Sequence, residues 1–134
     1  MPTTAKLSFP ANATVFVQAF SNAAYAQVVT IAPPSGPSAV FSGNGEYNKA
    51  QSLSTQGFLT ANSGGQPSFI VPSTGGEYAV SITGNGAPSA VMSDVNTLNT
   101  PAGGQILIGW VSSEDAGDKD WNDSVVIFTT YVES

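Results

Sequence analysis

The chain has no cysteine, no histidine and no arginine. Without cysteine there is no disulfide and no thiolate metal site, and composition says nothing about redox compartment. Without histidine the usual general base and the usual transition-metal ligand are missing. Without arginine there is no planar clamp for phosphate. Charge of either sign is scarce, at 9% of residues, against about 25% in an average domain. Three lysines face nine acids, a formal net charge of −6. That balance argues against nucleic-acid binding, which needs a basic footprint, and against attraction to anionic lipid. No stretch approaches the roughly 20 apolar residues of a membrane span, so no membrane insertion is expected. The N-terminal MPTTAKLSFPANATVF has no cationic region followed by an apolar core. A soluble protein without a recognisable signal peptide is the expectation, with cytoplasmic synthesis and export by another route left open.

What the chain does have is punctuation. Fourteen glycines and nine prolines are spread along 134 residues, a length that suits one domain over 1–134 with a self-sufficient core. No long window keeps a 3.6-residue apolar period. Runs rich in β-branched and aromatic residues lie between the breaks. They predict strands near Lys6–Phe9, Thr14–Phe20, Ala26–Ala32, Ser38–Ser42, Gln51–Thr60, Ser68–Val71, Glu77–Thr83, Ser89–Val95, Gln105–Val111 and Ser124–Val132. Turn chemistry separates them, at Pro33–Pro37, Gly43–Gly45, Asn62–Gly65, Gly84–Gly86 and Pro101–Gly104. Many short strands at close spacing indicate an all-β sandwich or barrel.

The acids are not spread. Five of the nine lie between Glu114 and Asp123, in SSEDAGDKDWNDSVVIF, with Lys119 among them. A solvated acidic loop is the ordinary explanation of such a run. Here the loop is anchored by two strand-like stretches, Ile106–Val111 and Val125–Phe128, in a chain otherwise poor in charge. Asp118, Asp120 and Asn122 alternate, which in an extended segment aims all three oxygens one way. Oxygen donors without histidine or cysteine suit a hard cation, and several carboxylates suit calcium better than magnesium. Asp118 to Asn122 copies the first five positions of an EF-hand, but Asp123 stands where glycine should and Thr129 where glutamate should. The loop therefore reads as a calcium loop between strands. Trp121 and Lys119 are out of phase with the ligands; alternation favours packing for Trp121 over sugar stacking.

These residues resemble the C-terminal signature of the LecB-type bacterial calcium-dependent lectins, which bind fucose and mannose. Phe9-Pro10-Ala11-Asn12, Phe20-Ser21-Asn22, Phe41-Ser42-Gly43, Asn62-Ser63-Gly64 and Asn85-Gly86-Ala87-Pro88-Ser89 have counterparts in the same order. The resemblance implies a Greek-key β-sandwich of about nine or ten antiparallel strands that forms a homodimer or tetramer. It implies two adjacent Ca2+ ions held by Glu114, Asp118, Asp120, Asn122 and Asp123, with the backbone carbonyl of Asn22. It makes Asp115 an acceptor for a sugar hydroxyl, beside Asp118, Asp120 and Asp123. About +4 of ionic charge would balance the crowded carboxylates.

The family's specificity segment follows the counterpart of Asn22 and reads Ala23-Ala24-Tyr25 here. Serines there go with fucose; alanines resemble the mannose-preferring members. Tyr25 stands where glycine is common, either over the sugar or in solvent. Family chains usually end in glycine, whose carboxylate enters the partner's calcium site; this chain ends Glu133-Ser134. The Ser134 carboxylate, the Glu133 side chain or neither serves that role. The implied function is a lectin of mannose- and fucose-containing glycans, without enzymatic activity. The alternative is a calcium-stabilised structural or adhesive sandwich that binds no monosaccharide. Catalysis is disfavoured, because serine or threonine would lack a histidine base and calcium-bound carboxylates are poor general acids.

Overall fold

Apolar and polar residues alternate along the extended runs, and the chain converts that alternation into two antiparallel sheets packed face to face. The computed structural model describes residues 2–46, 51–57, 60–61, 67–70, 75–115 and 121–133. Its strands are β1 (Thr4–Phe9), β2 (Thr14–Ser21), β3 (Ala23–Ala32), β4 (Ala39–Gly45), β5 (Gln51–Ser52), β6 (Ser54–Gly57), β7 (Thr60–Ala61), β8 (Pro67–Ile70), β9 (Gly76–Gly84), β10 (Ala87–Pro88), β11 (Ala90–Asn99), β12 (Gln105–Glu114) and β13 (Ser124–Val132). The first sheet runs β1-β9-β3-β4-β6, with β10 on β9; the second runs β11-β12-β13-β2-β8-β7, with β5 on β2. In the second sheet three consecutive strands, β11 to β13, are flanked by β2 from the start of the chain. That is the Greek-key arrangement of a β-sandwich.

Burial follows the period of two. Strand β1 buries Ala5, Leu7 and Phe9; β9 buries Tyr78, Val80 and Ile82; β2 buries Val15, Val17 and Ala19. Val111, Val126 and Phe128 lie beside the β2 residues in the second sheet and face those of β1 and β9, in one continuous core. Three rings sit between the sheets. Phe9 lies 5.4 Å from Tyr78 and 5.6 Å from Phe128, centroid to centroid. Such pairs add about 1 kcal/mol each beyond the area they bury. Burial also pushes the Tyr78 hydroxyl up to about 12, so it stays neutral.

Nine of the ten expected strands form with ends shifted by a few residues. The run Gln51–Thr60 does not stay one strand. Gln51–Ser52 pairs with β2 in the second sheet and Ser54–Gly57 with β4 in the first. The chain changes sheets at Leu53, which is buried and whose amide donates to the Ala19 carbonyl at 2.8 Å. Leu53 is a buried apolar anchor at the crossing, in an otherwise polar run, 51–57, that serves two sheets. Strand β10 was not expected; it closes a hairpin on β9 through Asn85 (φ 51°) and Gly86 (φ 80°), a two-residue turn.

Two shifted ends matter for the site. Strand β12 extends to Glu114, delivering the first acid of the loop on a rigid element. Strand β3 starts early, at Ala23, and is irregular: Ala23 pairs with Gly45, but the next pair is Gln27 with Gly43. Four residues of β3 thus span two of β4, and Ala24, Tyr25 and Ala26 bulge outward, all exposed.

Candidate functional site

The ends of β12 and β13 open at Ser113 and Ser124. The Ser124 amide donates to Ser113 Oγ at 3.0 Å, and the Asp123 amide to the Ser113 carbonyl at 3.2 Å. These bonds continue the ladder past its last regular pair, Ser112 with Val125, and hold the base of the acidic loop. The Asn22 amide donates to the Asp123 carbonyl at 3.1 Å, tying the end of β2 to the same point.

Three carboxylates converge there. Glu114, Asp115 and Asp123 place oxygens within 4.8 Å of one another. Glu114 is 8% exposed and Asp123 6%, so neither is simply solvated. The Asp115 amide donates to Asp123 Oδ2 at 2.8 Å, and the Trp121 amide approaches Glu114 Oε2 at 3.5 Å. Trp121 holds φ 57°, a conformation that costs a bulky residue energy and clusters at functional loops. Burial, and secondarily the side chains of Glu114 and Asp115, push the Asp123 carboxyl up to about 8, against the lowering effect of the Asp115 amide. Among the described residues the lysine is Lys6, paired with Glu77 at 3.9 Å on a distant outer face. The cluster is thus a set of hard oxygen donors whose repulsion a cation would relieve, and its chemistry fits a divalent metal.

The bulge of β3 lies beside this cluster, and each of its exposed carbonyls is held. Asn44 Nδ2 donates to the Ala24 carbonyl at 3.2 Å, Gln27 Nε2 to that of Tyr25 at 3.3 Å, and the Asn85 amide to that of Ala26 at 2.9 Å. Gln27 also reaches the acids: Nε2 donates to Asp115 Oδ2 at 2.8 Å, while Oε1 accepts from Ser124 Oγ at 2.7 Å.

Of the residues singled out in the sequence, Asn22, Glu114, Asp115, Asn122 and Asp123 come to one end of the sandwich, flanked by Ala23–Tyr25. Ala23 is buried and Ala24 exposed; Tyr25 is 54% exposed. Trp121 is half-buried. Asp118, Lys119, Asp120 and Ser134 lie outside the described residues, as does the turn at Asn62–Gly65. Gln27 and the two serines that brace the loop were missed. An uncharged residue inside a strand carries no signal of its own; the one hint was a glutamine among apolar residues, Gln27-Val28-Val29, at what proves to be a fully buried position.

The fold and the acidic end together invite comparison with known proteins. The fucose-binding lectin II (PA-IIL) model matches residues 7–132, nearly the whole chain. The chain belongs to the PA-IIL family. That makes it a member of a family of carbohydrate-binding lectins rather than of enzymes, in agreement with the LecB-type resemblance of its acidic loop. Similar solved structures include the Chromobacterium violaceum lectin CV2L in complex with α-methyl-fucoside, at 29% identity over 92% of this chain and 93% of that one, with a TM-score of 0.66. The Ralstonia solanacearum high-affinity mannose-binding lectin is 24% identical over 92% and 93%, with a TM-score of 0.64. The C-terminal domain of the Burkholderia cenocepacia lectin BC2L-C is 24% identical over 92% of each chain, with a TM-score of 0.65. No curated protein sequence matches this lectin. Among its described residues no helix is long and apolar enough to cross a membrane.

Proposed function

We propose that this lectin binds mannose- and fucose-containing glycans through a pair of Ca2+ ions, with mannose preferred. The observation that carries the reading is the convergence of the Glu114, Asp115 and Asp123 carboxylates beside the exposed bulge of β3. Glu114, Asp118, Asp120, Asn122 and Asp123 are the proposed side-chain ligands, with the Asn22 carbonyl. Bound calcium supplies positive charge and open coordination positions that neutral hydroxyls can fill. Asp115 accepts a charge-assisted hydrogen bond from a hydroxyl. Ala23 and Ala24 offer no hydroxyl of their own, which removes the partner that would favour fucose. The sugars named for the Ralstonia and Chromobacterium lectins support the substrate class.

The working unit is a homodimer, with tetramer formation a further step. Support comes from the outer face of the second sheet. Registered rows place Leu98, Ile106 and Tyr131 side by side, Trp110 beside Ile127 and Val125 beside Phe20, with Ile108 separated from Phe16 by Thr129 and Met92 from Val125 by Ser112. Leu98, Ile108, Met92 and Tyr131 are each more than 40% exposed. An exposed face rich in large apolar side chains suits an interaction surface, and pairing copies would multiply weak sugar sites.

The test is calorimetric titration of methyl α-mannoside and methyl α-fucoside with calcium and again with chelator. Heat with calcium only, and tighter binding of mannoside, is the expected result. Calcium binding without any sugar heat would leave a calcium-stabilised adhesive sandwich as the function.

A further inference from the structure

Asp115 is held in place by residues from elsewhere in the chain. Gln27 is fully buried, and its amide makes all its contacts at this end of the sandwich. Nε2 divides its two hydrogens between Asp115 Oδ2 and the Tyr25 carbonyl, and Oε1 takes the Ser124 hydroxyl. The reverse orientation would set the amide oxygen against a carboxylate and a carbonyl, so the network admits one arrangement. Directly across the ladder, Gln27 pairs with Gly84 of β9. A Cβ at Gly84 would lie 2.5 Å from Asp115 Oδ2 and 2.8 Å from its Cβ. The Asp115 carboxylate occupies the space that this glycine leaves, with Gln27 donating to it.

We infer that Gln27 and Gly84 are positioning residues for the sugar site: together they seat the Asp115 carboxylate and lock it to the Ala23–Tyr25 segment. The inference rests on the proposed role of Asp115 in sugar binding. It adds a physical link between the two halves of the site, because the same amide that orients Asp115 also fixes the Tyr25 carbonyl of the bulge. A shift of either half is transmitted to the other through one side chain. Neither residue would touch the sugar, and neither is a proposed calcium ligand. Their influence should therefore fall far more on sugar affinity than on calcium affinity.

Two variants separate this from a general loss of structure. Gln27→Met keeps the length of the side chain and removes its hydrogen bonds. Gly84→Ala keeps Gln27 and fills the space of the carboxylate, so the Asp115 side chain has to leave its seat. Each variant is measured for calcium affinity and for methyl α-mannoside and methyl α-fucoside affinity in saturating calcium. The expected result is sugar binding weakened roughly tenfold or more, the scale of one hydrogen bond to a charged group, with calcium affinity within about twofold of the parent. In Gln27→Met the mannoside-to-fucoside ratio should also move, since the Tyr25 carbonyl is released as well. Folded variants with parental sugar affinity would overturn the inference, and so would equal losses of sugar and calcium affinity. A parent protein that binds calcium but neither sugar would overturn the lectin reading itself, and this inference with it. Should Gln27→Met fail to fold, Gly84→Ala decides alone.

Discussion

Two regions of this molecule bring charged side chains close together, and they do so on opposite terms. On the outer face of the first sheet Lys6 meets Glu77 at 3.9 Å, opposite in sign and more than half exposed. At the end of β12 and β13 three carboxylates of like sign meet within 4.8 Å, two of them buried. The surface pair is electrically satisfied and exchanges little with water on folding. The acidic cluster is unsatisfied by any described cation and costs energy to assemble. Stability alone would remove it, so its survival points to a ligand that offsets the cost. The comparison teaches that the informative charges are those whose arrangement calls for a counter-charge that the described residues do not supply.

The largest effect is expected from breaking the cluster. Asp123→Ala should reduce calcium-dependent sugar binding by about 100-fold or more, on the scale of losing a buried charged partner, as read by calorimetry. Calcium itself should reverse the pH dependence of stability. The Asp123 carboxyl is raised from 3.8 to about 8 in the folded chain. Between those values the folded state holds a proton that the unfolded state has lost, so its contribution is full below pH 3.8 and is lost as pH rises through about 8. In chelator the melting temperature should therefore fall across that window, by a free energy on the order of a few kcal/mol. Saturating calcium binds the deprotonated form and should abolish or invert the slope. A melting temperature in chelator that climbs with pH over this range would contradict the assignment.

A third test moves to the second sheet's outer face. Ile108→Lys puts a charge into its apolar rows and should weaken self-association by roughly tenfold or more. Sedimentation velocity would show the shift toward monomer. Ser81→Lys, on the polar outer face beside Thr4, should leave the assembly unchanged. The smallest effect belongs to the ion pair: Lys6→Ala should change stability by about 0.5 kcal/mol or less in chemical denaturation. A loss several times larger would erase the contrast between the two regions.

Much of the fold was legible because one-sided burial imposes a period of two. Glu77–Thr83 alternates cleanly and becomes β9; Thr14–Phe20 and Ser124–Val132 become β2 and β13 with ends nearly as expected. The acidic loop was legible because carboxylates are rare elsewhere in the chain. Gln105–Val111 was legible as a strand but not in its facing. Ile106, Leu107 and Ile108 are all apolar, so nothing in the pattern tells which side is buried. The register with β11 and β13 sends Leu107 into the core and leaves Ile108 exposed. The sheet change at Leu53 was hidden for a similar reason: local pattern does not say which sheet a strand joins.

By itself, then, the sequence determined an all-β chain and a cluster of hard oxygen donors, since alternation and composition are local properties of the chain. Tertiary structure alone decided that Gln27 reaches Asp115, 88 residues away, and that Gly84 leaves room for that carboxylate. It also decided that the second sheet turns an apolar face outward. Each of these depends on register between distant strands. Register is set by the packing of the whole core, which no short stretch of sequence encodes.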